Sequence, residues 1–260
     1  MDIVTVSQKA NRTCRQEALR IAELLELPFA ERNGHSLPAL QEAHGGAAIL
    51  VIEKDGAALY TGEDKLHRFH LSMAQLRLLR LRRGEKDHLL EAIGREPVTS
   101  FLDCTLGLGS DSLIVAYGHP ECSQVLGLEG SVPLAWITNE GCRHFVHEDQ
   151  LVTAALRRIQ VMAVRYGDFL QAAPDNSFDI VYFDPMFASP VADSPQFLAL
   201  RGHLLEGGLE EKDFKEALRV ARRRVIIKDR PFGDIFRRIP VHRMEGGKYS
   251  RIAYGIYEKG

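Results

Sequence analysis

The chain has 260 residues, 45% hydrophobic and 26% charged, a globular composition with ample material for a core. No run approaches the ~20 apolar residues of a membrane helix, and the opening MDIVTVSQKANR lacks the apolar stretch of a secretion signal. Four cysteines (14, 104, 122 and 142) without framework spacing suggest reduced thiols and a cytoplasmic protein.

The net charge of −2 is unevenly spread. Residues 100–218 hold 7 basic and 17 acidic side chains, residues 219–251 hold 11 and 3, and residues 66–86 hold 6 and 1. Two basic segments thus flank an acidic middle. Such runs can be no more than solvated faces; brought together in space, they would form a polyanion footprint. Arg80, Arg82 and Arg83 are its candidates in the first segment.

Residues 1–96 read as a small α/β unit. Ile3–Val6 is a short strand, Arg15–Leu27 has helical apolar spacing, and Ala47–Glu53 with Ala57–Tyr60 forms a hairpin around Lys54-Asp55-Gly56. His67 and His70 read as one helical turn apart. Helices over Ser72–Arg82 and Glu85–Ile93 break at Gly84, and Pro97 marks the boundary to a second unit over 97–260.

From Val98 strands alternate with helices. Strands are expected at Ser100–Leu106, Gln124–Glu129, Val161–Arg165, Phe178–Phe183 and Val225–Lys228. Helices are expected at Ser110–Tyr117, from Val132, at Leu151–Arg158 and at Glu211–Ala221. Ile239–Met244 and Arg251–Tyr257, around Gly246-Gly247, suggest an antiparallel hairpin. The pattern predicts a parallel sheet covered by helices and closed by an antiparallel pair, with the ligand beyond the carboxyl ends of the strands.

Candidate chemistry sits at those ends. Asp103-Cys104-Thr105-Leu106-Gly107-Leu108-Gly109-Ser110-Asp111 has two glycines that permit a tight turn and close approach of a ligand. A dinucleotide fingerprint wants a third glycine where Ser112 stands, and a glycine pair alone can be a structural turn. Glu129 ends the second strand, where such folds place an acid on the ribose hydroxyls, and Asp168 follows the third. In VYFDPMF (Val181–Phe187) a buried strand stops at a proline, leaving a carboxylate and an aromatic ring on a stiff turn. Cys142, His144 and His147 lack a fourth partner with metal-ligand spacing, so no metal is expected. Cys104 reads as a small buried hydrophobe. Lys228 reads either as a contact to a phosphate or bound base, or as an ordinary strand-end lysine.

Asp103-x-Thr-x-Gly-x-Gly, Glu129, Gly167-Asp168 and Asp184-Pro185-Met186-Phe187 together resemble the Rossmann-like S-adenosylmethionine-dependent methyltransferases. The resemblance is closer to the small-subunit ribosomal RNA guanine-N2 methyltransferase J family, which has an Asp-x-Thr-x-Gly-Leu-Gly-x-Asp loop, a Tyr-x-Asp-Pro-Met-Phe motif and a lysine on the fifth strand. Ser110 and Gly130 stand where that family often has basic residues, and residues 188–210 have no counterpart in it. The resemblance implies a class I methyltransferase fold, S-adenosylmethionine as cofactor, and rRNA or the ribosomal subunit as partner, with a homodimer possible. It also implies a cofactor site from Asp103, Gly107, Gly109, Ser110, Asp111, Glu129, Gly130, Gly167, Asp168 and Asp184. Asp184, Pro185 and Phe187 would serve an amino group of guanine, Phe187 by stacking, and Lys228, Arg80, Arg82 and Arg83 would meet RNA. A methyltransferase for another RNA, DNA, protein or small-molecule amine, a nucleotide-dependent oxidoreductase and a non-catalytic RNA-binding module are the alternatives.

Overall fold

The structure, a computed structural model, describes residues 1–62, 66–185, 209–246 and 250–259. Residues 1–67 contribute β1 (Ile3–Val6), α1 (Arg12–Leu24), α2 (Leu37–Ala43), β2 (Ile49–Glu53), β3 (Gly56–Tyr60) and β4 (Leu66–His67). These strands form a four-stranded sheet in the order β1-β2-β3-β4, with β1 parallel to β2 and the other pairs antiparallel. Helix α1 starts earlier than its apolar spacing suggests, because Asn11 accepts a hydrogen bond from Cys14 N and caps it there. His67 lies in a strand, so the helical spacing expected for His67 and His70 does not exist.

Next come α3 (Ser72–Arg82), α4 (His88–Ile93), β5 (Ser100–Asp103), α5 (Ser110–Gly118), β6 (Gln124–Glu129), α6 (Val132–His144), α7 (Gln150–Arg158), β7 (Ile159–Ala163), α8 (Tyr166–Ala172) and β8 (Phe178–Phe183). The chain ends with α9 (Glu211–Val220), β9 (Ala221–Asp229), α10 (Asp234–Arg238), β10 (Arg243–Glu245) and β11 (Ala253–Glu258). The second sheet has seven strands in the order β10-β11-β9-β8-β5-β6-β7. Strands β5 to β9 are parallel and β10 and β11 antiparallel, the arrangement the alternating pattern predicts. It is the Rossmann-like class I methyltransferase fold. From β5 the chain proceeds to one side through β6 and β7, then returns to the other with β8 and β9. The crevice of such a sheet opens where the order reverses, between the carboxyl ends of β5 and β8.

Alternation along the central strands divides the core in two. Phe101, Ile180, Tyr182 and Ile226 face one layer, packed by α3, α4, α5 and α7. Leu102, Val181, Phe183 and Ile227 face the other, packed by α8, α9 and α10. Fully burying such side chains is worth ~1.5–3 kcal/mol each. Helices α3 and α4 precede Pro97 yet belong to the large sheet's core through Leu78, Leu89 and Ile93. Between the sheets Phe69 lies against Gly141 of α6, where an added Cβ would come within 2.0 Å of the ring. The same ring packs edge-on to Phe145, with centroids 5.8 Å apart.

Strand β9 begins directly after α9 and takes in three consecutive arginines. Each is paired: Arg222 donates to Asp179 at 2.5 Å, Arg223 to Glu96 and to Pro97 O, and Arg224 to Ala92 O and Ile93 O, beside Glu258. Arg219 and Arg243 also meet carboxylates. Much of the basic excess of residues 219–251 is therefore neutralised within the fold, contrary to a wholly solvent-facing footprint.

Candidate active site at the carboxyl edge of the large sheet

Asp103 closes β5, a shorter strand than expected, because its buried carboxylate turns the chain. Oδ1 accepts from Thr105 N at 3.0 Å and Oδ2 from Ser112 Oγ at 2.7 Å. Burial pushes this carboxyl up to about 7, helped by the Asp111 and Asp184 charges and opposed by the Ser112 and Thr105 bonds. The turn that follows places Gly107 at φ 53° and Gly109 at φ 75°, a region where L side chains are strained. It is held from outside by Thr138 Oγ1, which donates to Gly107 O at 2.7 Å, and by Leu106 N, which donates to Leu128 O at 3.0 Å.

Glu129, at the end of β6, is buried and grips the same turn. Its Oε2 accepts from Gly107 N at 3.1 Å and its Oε1 from Ser131 N at 2.8 Å. Burial raises its pKa, against the backbone hydrogen bonds. Each oxygen keeps a lone pair that these bonds do not use. A Cβ added at Gly107 would meet nothing within 4 Å, so the turn faces open space. Open backbone, a buried acid at the neighbouring strand end and a surplus of carboxylates suit a nucleoside bearing a positive sulfonium.

Asp184 follows β8 directly. Its N–H donates to Thr105 Oγ1 at 2.6 Å, which ties the tip of β8 to the glycine turn. Oδ2 accepts from Lys228 Nζ at 2.7 Å, while Oδ1 meets no donor among the described residues. The side chain remains 32% exposed. Burial and the Asp111 charge raise its pKa, and Lys228 opposes them.

Behind Asp184 lies a buried ionic cluster. Lys228 also donates to Asp111 Oδ2 at 3.0 Å, and Tyr182 Oη donates to the same oxygen at 2.8 Å. Arg77 of α3 donates to Asp111 Oδ1 through one arm of its guanidinium. Its other edge donates to Asp87 at 2.7 and 2.8 Å. Burial opposes the charge of Asp111, but Lys228 and Arg77 outweigh it and hold its carboxyl well below the usual range. The Asp111 carboxylate is thus committed to the protein interior. Lys228 is too: its ammonium serves two carboxylates, with the side chain 15% exposed. Two of its three N–H donors are therefore used within the protein, which limits the contact to a phosphate or bound base that one reading of the sequence offered.

The remaining candidates are spread more widely. Ser110 opens α5 and Gly130 follows Glu129, both at the same edge. Gly167 and Asp168 fall inside α8, with Asp168 exposed in its first turn. Pro185 is partly exposed beside Asp184; Phe187 and Met186 lie outside the described residues. Arg80, Arg82 and Arg83 are exposed at the end of α3, Arg82 3.7 Å from Asp149. Cys142 is buried, and His147 uses both ring nitrogens, Nδ1 accepting from Asp149 N at 2.9 Å and Nε2 meeting Gln75 at 3.0 Å. Among the described residues no group of three or more His, Cys, Asp or Glu could hold a metal ion, and no helix is long and apolar enough to cross a membrane.

The sequence reading gave no role to Arg77, Tyr182, Thr105 or Ser112 at this edge, although Thr105 and Tyr182 stand within the Asp-x-Thr and Tyr-x-Asp-Pro-Met-Phe motifs. Tyr182 carried a further signal, a hydroxyl within an otherwise apolar strand, which when buried needs a partner.

A family model described as "Putative SAM-dependent methyltransferase" matches residues 39–259. Among curated proteins the chain is 34% identical over 227 residues to the "Uncharacterized protein YpiP" of Bacillus subtilis (strain 168), covering 87% of this chain and 88% of that one. Among solved structures it is similar to the SAM-dependent methyltransferase NGO1261 from Neisseria gonorrhoeae. The TM-score is 0.67 at 17% identity, over 99% of this chain and 96% of the other, a likeness of fold.

Proposed function

The chain belongs to the SAM-dependent methyltransferase family, and we propose that its methyl acceptor is the exocyclic amino group of a guanine in small-subunit rRNA. Membership makes S-adenosylmethionine the cofactor and sets aside the oxidoreductase and the non-catalytic RNA-binding module. In this reading Gly107, Gly109 and Ser110 line the cofactor turn, which Asp103 and Asp111 shape from behind. Glu129 accepts from the ribose hydroxyls beside Gly130, and Gly167 with Asp168 borders the adenine.

The observation that carries the substrate reading is the state of Asp184. One carboxylate oxygen is anchored by Lys228 and the other has no donor among the described residues, on the strand end that borders the crevice. An exocyclic amine conjugated to a purine is a weak nucleophile because its lone pair is shared with the ring. An N–H donated to Asp184 Oδ1 and another to Pro185 O favour a geometry that frees the lone pair. The carboxylate also stabilises the positive charge that grows on nitrogen. Bound S-adenosylmethionine supplies an electrophilic methyl with its leaving group attached, so the protein's task is alignment. Phe187 provides a face for the base, which must be unpaired or flipped to reach this edge.

The test is methyl transfer from labelled cofactor to ribosomal subunits of a strain lacking this protein, with the modified nucleotide mapped. N2-methylguanosine in small-subunit rRNA is expected. Label on a ring nitrogen or a ribose, or unlabelled rRNA, would overturn the reading.

A further inference from the structure

A recess of about 540 Å³ opens beyond the end of β1, in the N-terminal sheet, and Arg12, Arg15, Glu31, Arg32 and Asn33 are among its lining residues. Three guanidinium groups face one carboxylate there. Arg15 is already spent: its Nε donates to Glu31 Oε1 at 2.8 Å, and its guanidinium lies 5.7 Å from the Phe29 ring centre. The side chains of Arg12 and Arg32 meet no acceptor among the described residues.

Arg32 is the sharper observation. Its Nε is closed off from solvent and yet has no hydrogen-bond partner among the described residues. Partial burial lowers its pKa, with no opposing charge to raise it. A buried donor left unmade is costly, and native folds rarely keep one without a use. An oxyanion would satisfy it, and the planar guanidinium fork matches the oxygens of a phosphate.

The surroundings favour a nucleotide over a bare ion. Arg32 also walls an adjoining recess of about 320 Å³, lined in part by Leu37, Pro38 and Leu66. A phosphate on Arg12 and Arg32 would therefore have an apolar recess within reach for its sugar or base. Val6, which lines the first recess, belongs to an apolar cluster that is also packed by Leu108 of the glycine turn and Trp136 of α6. The recess is thus continuous, through packed side chains, with the wall of the methyl-transfer edge.

We propose that this recess holds a backbone phosphate of the RNA substrate on Arg12 and Arg32, apart from the base that is methylated. The proposal rests on the RNA reading above and adds to it a binding site outside both basic segments.

The test compares wild type with R12Q/R32Q and with R12K/R32K, in one arm with the labelled rRNA substrate across a salt series and in another with inorganic phosphate alone. The glutamine pair is expected to weaken RNA binding about tenfold and to make the salt dependence shallower by up to about two counterions. Cofactor affinity, read by calorimetry, should stay at the wild-type value and reports an intact fold. The lysine pair keeps the charge and should keep the salt slope while losing affinity. Unchanged affinity and slope in the glutamine pair would overturn the proposal. So would a phosphate-induced thermal shift that the substitutions abolish while RNA binding stays unaltered, since the site would then serve free phosphate. If wild type binds no RNA, the substrate reading itself has failed, and the phosphate arm alone decides whether the recess takes an anion.

Discussion

Lys228 Nζ on β9 lies 2.7 Å from Asp184 Oδ2 at the tip of β8, so the acid at the crevice is held from the neighbouring strand and not by its own turn. The same ammonium reaches Asp111 at 3.0 Å. Removing it leaves two carboxylates facing each other in a largely buried place. Lys228→Met should cost ~3–5 kcal/mol in urea unfolding, the scale for breaking a buried pair. Adding Asp111→Asn should recover part of that loss, because the two changes share one interaction. Strictly additive losses would show that the two groups act independently.

Binding and chemistry should separate at Glu129 and Asp184. Glu129→Ala is expected to weaken S-adenosylmethionine by ~1.5–3 kcal/mol, the range for hydrogen bonds to a charged acceptor. Asp184→Ala should leave cofactor affinity near wild type and lower turnover by a factor of ~100 or more. Calorimetry and single-turnover methyl transfer measure the two quantities. An Asp184 variant working at the parent rate would reduce that carboxylate to a turn residue.

Stability should carry the signature of Asp103. Its carboxyl is raised from 3.8 to about 7, so the folded chain holds this proton more tightly than the unfolded chain. The resulting stabilisation is complete below ~pH 4, declines as pH rises towards 7 by at most ~1.4 kcal/mol per pH unit, and is gone above it. Asp103→Asn has no such proton, and its denaturation midpoints should vary less between ~pH 5 and 7. Parallel wild-type and variant curves would mean that Asp103 is ionised throughout.

The end of α3 offers a charge test of its own. Arg80, Arg82 and Arg83 are exposed, whereas Arg77 on the same helix is buried against Asp87 and Asp111. Replacing the exposed three together should weaken RNA binding and flatten its salt dependence by up to about three counterions. The methylated base should not change, because phosphate contacts position the nucleic acid without reading it. An unchanged slope would make this helix end a solvated face.

Most of the frame was legible because strands buried on both faces read as apolar runs and their stops carry punctuation. Ile180–Phe183 before Asp184-Pro185 is such a case, and so is the hairpin at Lys54-Asp55-Gly56. Other short helices were less legible than His88–Ile93, which the sequence reading had placed within Glu85–Ile93. Leu37–Ala43 has seven residues, too few for periodicity, although Ser36 before it is a cap and Pro38 a helix start. Asp234–Arg238 has only five. Pairing in space was the larger omission. Three consecutive arginines at 222–224 look the same in a sequence whether water or carboxylates receive them, and only the fold brings Asp179, Glu96 and Glu258 to them. Arg77 and Asp111, 34 residues apart, carry no mark of each other.

Phe69 and Gly141 decide what kind of joint connects the two sheets. A side chain larger than hydrogen at 141 would drive the ring out, so the passage from β4 to α3 is a wedge seated on a helix and not a tether. A wedge packed in this way leaves little room for swing. A polymer that touched both sheets would therefore meet them at one fixed span, as an object meets the jaws of a set calliper. Under the RNA reading proposed above, the selectivity that follows would be geometric: a strand too slack or too stiff to match that span would be refused before any base is presented.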